Sequence, residues 1–412
     1  MSDTQSISES NNPKGIFVFV FVIVLLIIGL IIMGIVRFSS PIPAVDAKTS
    51  AQNLVLPGQF SVTFPEQGES AVGTDTFGVI ASSSDQTSVP IASVAKIMTA
   101  YLVLKAHPLK PGEDGPSLMM TALDVAGYQS AIQNNYSRVK VTLGEKLTEK
   151  QLLEGLLLPS GNNIADTLGR WVAGTDEAFV AKVNDTAKSL GMTNTHYADA
   201  SGANEATVSN AVDQIKVAQA AMQDPVFREI VAMPQATLPV AGKVFNVNSM
   251  LGKHEIVGIK TGSTTKAGGC FVSATPVVNG TKNHYIIATV LGSKVANRNL
   301  QSALEANARI LDEVRPQFKS YTLTPPANGF GQITTPWNSQ SDLRVSQPIQ
   351  VFGYPGMKVS YSIKPLAVKL PAAPGTDVAT LKIQTGKTSQ TVSMQNTEQI
   401  NPPGLLWRII RY

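Results

Sequence analysis

Cysteine is nearly absent. The chain has 412 residues and a single cysteine, Cys270, so a disulfide-stapled scaffold is excluded. Histidine is scarce too. His107, His196, His254 and His284 stand far apart, with no H-E-x-x-H and no cysteine partners. No metal site and no cofactor are therefore expected. Aromatic residues make up 6%, the net charge is only +4 and no basic run occurs, so no nucleic-acid partner is expected. Charged residues are only 15% against 43% hydrophobic ones, which excludes a wholly disordered chain. The length fits two or three domains.

One long apolar run is present. Ile16 to Val36 contains no charged residue over 21 positions. About 20 helical residues cross a hydrocarbon core, and a signal peptide has a shorter apolar region. Two readings stand: an uncleaved anchor, or a signal cleaved near Val45-Asp46-Ala47. Both export the rest of the chain. The basic flanks are nearly level, with Lys14 before the run and Arg37 after it. The N-terminus is placed inside because the chemistry carried further along the chain belongs outside. Without residues 1–36 the chain keeps 32 basic and 27 acidic residues, a mild match to an anionic wall or membrane surface.

Composition divides the rest. Residues 37–56 are rich in Ser, Pro and Ala and read as a linker. A second break falls near Thr322, where Thr324-Pro325-Pro326-Ala327-Asn328-Gly329 interrupts the pattern. Between the breaks, apolar spacing predicts an amphipathic helix over Ser93–Lys105 and further helices over Glu149–Leu158, Asn162–Ala173, Glu177–Leu190 and Leu300–Val314. Strands are predicted over Phe77–Ala81, Ile256–Thr261, Cys270–Ala274 and Tyr285–Leu291, the last two joined by an Asn279-Gly280 hairpin. After Pro326 short strand-like runs recur at Ile349–Phe352, Lys358–Ile363, Ala367–Leu370, Val378–Ile383 and Gln390–Met394. The expected class is α+β: an antiparallel sheet with helices, then a small all-β sandwich, behind an N-terminal transmembrane helix. The expected divisions are 1–15 cytoplasmic tail, 16–36 anchor, 37–56 linker, 57–320 catalytic domain, 321–404 β domain and 405–412 short amphipathic tail. That tail, with Trp407, Arg408 and Arg411, suits either a membrane surface or packing on the β domain.

Three short motifs carry chemistry. Ser93-Val94-Ala95-Lys96 is S-x-x-K, a pattern that also occurs at Ser137 and Ser263. Only Ser93 opens a predicted helix. There the free N–H groups favour an anion, and a residue three positions on lies on the same face. Lys96 can then take the Ser93 proton, provided burial lowers its pKa. Ser160-Gly161-Asn162 lies in a predicted loop between helices, with a hydroxyl to relay a proton and an amide to orient a carbonyl. Lys260-Thr261-Gly262-Ser263 ends a predicted strand and is the only K-T-G. It offers a cation, a hydroxyl donor and, at Gly262, close backbone approach.

The order S-x-x-K, S-x-N, K-T-G, at intervals of 67 and 100 residues, resembles the penicillin-recognising serine enzymes, of β-lactamase/transpeptidase-like fold. Val89-Pro90-Ile91-Ala92-Ser93, Leu190-Gly191-Met192-Thr193-Asn194-Thr195-His196 and Ala267-Gly268-Gly269-Cys270 narrow it. They look like the serine-type D-alanyl-D-alanine carboxypeptidases, the low-molecular-mass penicillin-binding proteins. The resemblance runs from about Pro57 to Phe318. It implies a membrane-bound, extracytoplasmic enzyme acting on peptidoglycan stem peptides that end in D-Ala-D-Ala, with β-lactams as covalent inhibitors. It implies Ser93 as nucleophile, Lys96 as base and Ser160 as proton relay. It also implies Asn162, Lys260, Thr261, Gly262 and Ser263 as substrate-binding residues, with the Ser93 and Ser263 N–H groups forming the oxyanion hole. Arg298 is the candidate for a further carboxylate-binding arginine. No E-x-x-L-N motif follows Ser160, which ranks β-lactamase below carboxypeptidase. Cys270 reads as a buried small hydrophobe near the site. A transpeptidase or endopeptidase using the same site, and a non-catalytic sensor of wall peptides, are the alternatives.

Overall fold

The computed structural model describes residues 13–42, 46–49, 53–280, 282–326 and 329–411. The expected tail 1–15 and the Val45 end of the expected cleavage site fall largely outside these residues. Ten helices occur among them. They are α1 (Pro13–Ser39), α2 (Lys96–Ala106), α3 (Ala122–Gln133), α4 (Glu149–Leu157), α5 (Asn162–Ala173), α6 (Asp176–Ser189), α7 (Ala211–Ala221), α8 (Pro225–Val231), α9 (Asn299–Val314) and α10 (Leu405–Ile410). Local chemistry sets several starts. Thr121 with Asp124 and Thr148 with Gln151 form capping boxes on α3 and α4. Asn210 caps α7, and Asp224 with Pro225 opens α8.

The larger, preceding unit is built on a five-stranded antiparallel sheet. In spatial order its strands are Gly258–Thr264, Gly268–Asn279, Lys282–Ser293, Glu69–Thr74 and Gly78–Ser82. Alternation along the strands divides the core. Cys270, Val272 and Ala274 face the layer that holds α2, α4, α5, α7 and α8. Phe271, Ile286, Ala288 and Val290 face α9. Buried Asn307 ties α9 to the sheet by donating to Phe271 O at 3.2 Å and Ala288 O at 2.9 Å. The expected hairpin forms, with Gly280 at φ +60°.

One expectation fails at the helix bearing S-x-x-K. Ser93 lies in a 3-10 turn, Ala92–Ala95, that leads into α2. α2 is not amphipathic: Lys96, Ile97, Met98, Thr99, Ala100, Leu102, Val103 and Leu104 are all buried. It runs through the middle of the domain, so neighbours cover all of it but the last turn, where Lys105 and Ala106 are exposed.

The C-terminal unit has a seven-stranded antiparallel sheet and a two-stranded one, Lys319–Thr322 with Gln350–Gly353, around a shared core including Ile333, Val351, Val359, Leu381 and Met394. Residues 37–56 are not a free linker. Asp46–Thr49 pairs with Gly331–Thr334, and Asn53–Val55 pairs with Lys358–Ser360, so this stretch supplies both end strands of the sheet. Ala367–Leu370 is not a strand. Pro365 and Pro371 bracket it and lack ladder donors. Phe60, Phe77, Phe318, Phe352 and Tyr354 pack their rings together where this unit meets the five-stranded sheet's unit.

Most of α1 is exposed, only its final turns having a neighbour, and Lys14–Ser39 is long and apolar enough to cross a membrane.

Candidate active site

Two strained turns and one edge strand meet at the end of α2. Ala92 has φ +47° and Ser160 has φ +66°. Both are non-glycine residues in the left-handed region, a cost that accompanies functional sites. The first turn leaves Ser93 partly exposed while Ala92 and Val94 are buried. The second buries Ser160, whose Oγ has no hydrogen-bond partner among the described residues. An unpartnered buried hydroxyl invites explanation.

Lys96 joins the motifs. It is wholly buried, and its Nζ lies 2.8 Å from Ser93 Oγ, 2.7 Å from Asn162 Oδ1 and 2.8 Å from Ser201 O. Burial lowers its pKa to about 7, while Asp199 and Asp166 oppose that shift. Near neutrality the amine is therefore poised to accept a proton. Asn162, expected to orient substrate, also fixes this amine through its side-chain oxygen.

The K-T-G motif sits in the middle of the sheet's edge strand, not at its end. Lys260 and Thr261 are buried and Ser263 is exposed. Lys260 donates to Thr261 O at 3.0 Å. Burial, and then the charge on Lys96, hold its pKa well below the usual lysine range. Gly262 passes against the Ser93 turn. A Cβ there would stand 2.9 Å from Ser93 N and 3.0 Å from Ile91 O and Val94 N, so only glycine lets the strand lie this close.

Arg298 is not brought to this cluster. It precedes α9, and its Nη2 is paired with Glu305 Oε1 at 2.8 Å on the helix surface. A charged partner two turns away on the same helix takes the guanidinium instead. Cys270 is buried opposite Gly262, and burial pushes its thiol up to about 12, so it packs as a small hydrophobe.

One contributor was missed in the sequence. Asp199 accepts from Ser201 Oγ at 2.7 Å, Gly202 N at 3.0 Å, Ala203 N at 2.9 Å, Asn204 N at 3.3 Å and Thr207 Oγ1 at 2.5 Å. These bonds shape the loop that presents the Ser201 carbonyl to Lys96. The signal was Asp199-Ala200-Ser201-Gly202, an acid that folds the following backbone onto itself. In Asp199→Asn, an amide N–H₂ replaces one acceptor oxygen and faces donors. The plateau rate of acylation should fall roughly 10- to 100-fold, from the 1–3 kcal/mol of unsatisfied hydrogen bonding. Loss of the anion also lowers the Lys96 pKa, so the acid limb should move to lower pH. A pH profile of β-lactam acylation checks both, and an unmoved limb would count against the role.

A serine held by a buried amine, with a second lysine on an adjoining edge strand, defines a serine acyl-transfer enzyme. Comparison specifies it further. A model of the D-alanyl-D-alanine carboxypeptidase family matches residues 67–295, more than half of the sequence, and the chain belongs to that family. A D-alanyl-D-alanine carboxypeptidase of Mycobacterium tuberculosis is 34% identical over 217 residues, covering 51% of this chain and 70% of the relative. One from Streptomyces sp. strain K15 is 30% identical over 248 residues, covering 56% and 82%. The crystal structure of the Streptomyces K15 DD-transpeptidase matches with TM-score 0.52 at 27% identity, covering 61% of this chain and 98% of that one. The chain is thus a serine D-Ala-D-Ala carboxypeptidase by family.

Proposed function

We propose that this chain is a membrane-anchored, extracytoplasmic carboxypeptidase that removes the terminal D-alanine from peptidoglycan stem peptides through an acyl-enzyme on Ser93. The observation that carries the reading is Lys96 Nζ within 2.8 Å of both Ser93 Oγ and Asn162 Oδ1 in a buried site. Lys96 takes the Ser93 proton as Oγ attacks the carbonyl between the two D-alanines. The Ser93 and Ser263 N–H groups face the developing oxyanion; one such donor is worth roughly 100- to 1000-fold in rate. Ser160 passes a proton to the departing amine, and D-alanine leaves. Water then cleaves the ester and frees the shortened peptide and Ser93. Thr261 and Lys260 bind the terminal carboxylate, whose negative charge raises the Lys260 pKa and favours its cationic form. Asn162, besides fixing Lys96, faces the acyl side.

A β-lactam acylates Ser93 in the same way, but its amine stays tethered and hydrolysis is slow. α1 is the single-pass anchor, residues 1–15 lie inside, and 57–320 work outside. Residues 321–404, completed by the strands from 46–55, set the site at a distance from the membrane.

The test is D-alanine release by the full-length chain in detergent from a peptide ending in D-Ala-D-Ala. Release from that peptide, and none when the last residue is L-alanine, is expected. Stable β-lactam acylation without release would point to a sensor. The name of the Streptomyces K15 structure favours a second reading, transfer to an amine. Product made only when an amine acceptor is present would favour it over hydrolysis.

A further inference from the structure

The last helix does not pack on the β unit alone. α10 runs beside the final turns of α1, where Leu405 and Ile409 share an apolar groove with Leu30, Ile31, Gly34 and Phe38. Arg411 donates to Arg37 O at 2.8 Å, Ser40 O at 2.8 Å and Pro41 O at 3.0 Å. It thereby satisfies carbonyls that the end of α1 leaves open. Arg37 in turn reaches Ile409 O at 3.4 Å. The outward side of α10 remains apolar: Leu406 is 71% and Ile410 51% exposed. In water that surface is costly, whereas beside an anchor helix it adjoins acyl chains. Trp407 meets Trp337 edge to face at 5.5 Å, and Trp337 donates to Asn401 O at 2.8 Å. Paired indoles at the end of an apolar helix mark headgroup depth.

A cavity of about 620 Å³ opens at this level, lined among others by Trp337, Leu366, Val368, Lys369, Pro402 and Arg408. Two of its lining residues are cations and none is acidic. Arg408 lies over the Phe38 ring at 5.3 Å, and its Nε is buried without a hydrogen-bond partner among the described residues. A guanidinium N–H left open in a cavity that Lys369 also lines fits a phosphate oxygen. Ile42, just beyond α1, and Arg408, on α10, both line the cavity, so it opens beside the ends of those two helices, which suits an anion that carries acyl chains.

We propose that this cavity binds the headgroup of an anionic phospholipid in the leaflet facing the catalytic domain. Arg408 and Lys369 hold the phosphate, and the acyl chains lie along α1 and α10. The site rests on the reading of α1 as an anchor.

The experiment uses the full chain in nanodiscs of mixed phosphatidylglycerol and phosphatidylcholine. Lipids retained on the protein after gentle release are counted by native mass spectrometry. Phosphatidylglycerol should be retained about tenfold over its share of the bilayer, as charge-assisted bonds to a phosphate and a weakly screened site would give. In Lys369→Gln/Arg408→Gln the preference should vanish, with β-lactam acylation unchanged. Lys369→Gln alone leaves α10 seated and should lower the preference by about threefold. Equal retention of both lipids by the wild type, or an undiminished preference in the double variant, would overturn the site. Displacement of the lipid by an equal concentration of soluble glycerol phosphate would overturn a lipid as its occupant. Release of the wild type from membranes by alkaline carbonate would overturn the anchor and this site together. Firm insertion with lipid indifference would overturn the site alone.

Discussion

Replacing Lys96 with methionine should cut the acylation of Ser93 by roughly 1000-fold or more, within the upper part of the range for a positioned general base. Methionine keeps the unbranched shape, so the buried slot stays filled and the loss reports chemistry. The partner set explains the size of the effect. A neutral amine has two N–H bonds and one lone pair. Asn162 Oδ1 and Ser201 O can only accept, so they take the two N–H bonds at 2.7 and 2.8 Å. The lone pair is left for Ser93 Oγ at 2.8 Å, the one partner that can donate. Protonation fills the lone pair and turns Lys96 into a donor towards Ser93, which blocks proton removal. With the Lys96 pKa lowered to about 7 by burial, kcat/KM should rise with pH and level off above about 7. In Lys96→Met that inflection should disappear. Acylation within tenfold of wild type, or an inflection that persists, would remove Lys96 as the base.

What the sequence made legible was local. K-T-G lies on one strand, and S-x-x-K spans a 3-10 turn that runs straight into α2, so their spacing translates directly into geometry. The apolar runs over Glu149–Leu158 and Cys270–Ala274 likewise report local structure, and the helix and the strand appear there, the strand buried on both faces. What was not legible depends on partners far along the chain. Asp46–Thr49 has too short a run to show alternation, and its partner, Gly331–Thr334, lies about two thirds of the chain away. Arg298 sits near the right place in the sequence, but the nearest acid on its own helix decides where the guanidinium points. The burial of α2 could not be read from its pattern, because Lys96 and Thr99 look polar. Their groups are buried because Ser201 O and Ala200 O wait opposite them. For the same reason the tail 405–412 gave no sign of its partner, the end of α1.

Those two waiting carbonyls make the loop after Asp199 the most sensitive part of the site. Gly202 there has φ +78°, where a side chain is strained in any surroundings. Space is the harder constraint. A Cβ on Gly202 would overlap the Ala92 carbonyl, and it would stand 3.0 Å from the Ala95 Cβ. Ala92 cannot yield, since its own left-handed backbone sets the turn that exposes Ser93. The loop must therefore retreat and take the Ser201 carbonyl away from Lys96. Gly202→Ala should lower the acylation rate by at least about 100-fold, because a lost buried acceptor for an amine costs about 1–3 kcal/mol and misplacing the base adds to it. It should also lower the melting temperature, as backbone strain of about 1–3 kcal/mol implies. Gly191→Ala is the control. Its φ of +71° carries similar strain, but nothing stands within 4 Å of its Cβ. That variant should lose stability and keep its acylation rate. If both variants lost stability alone, the loop would be a structural turn and the Ser201 carbonyl would have no part in tuning Lys96. If only Gly202→Ala lost acylation, the contact between this loop and the Ser93 turn would set the nucleophile's geometry.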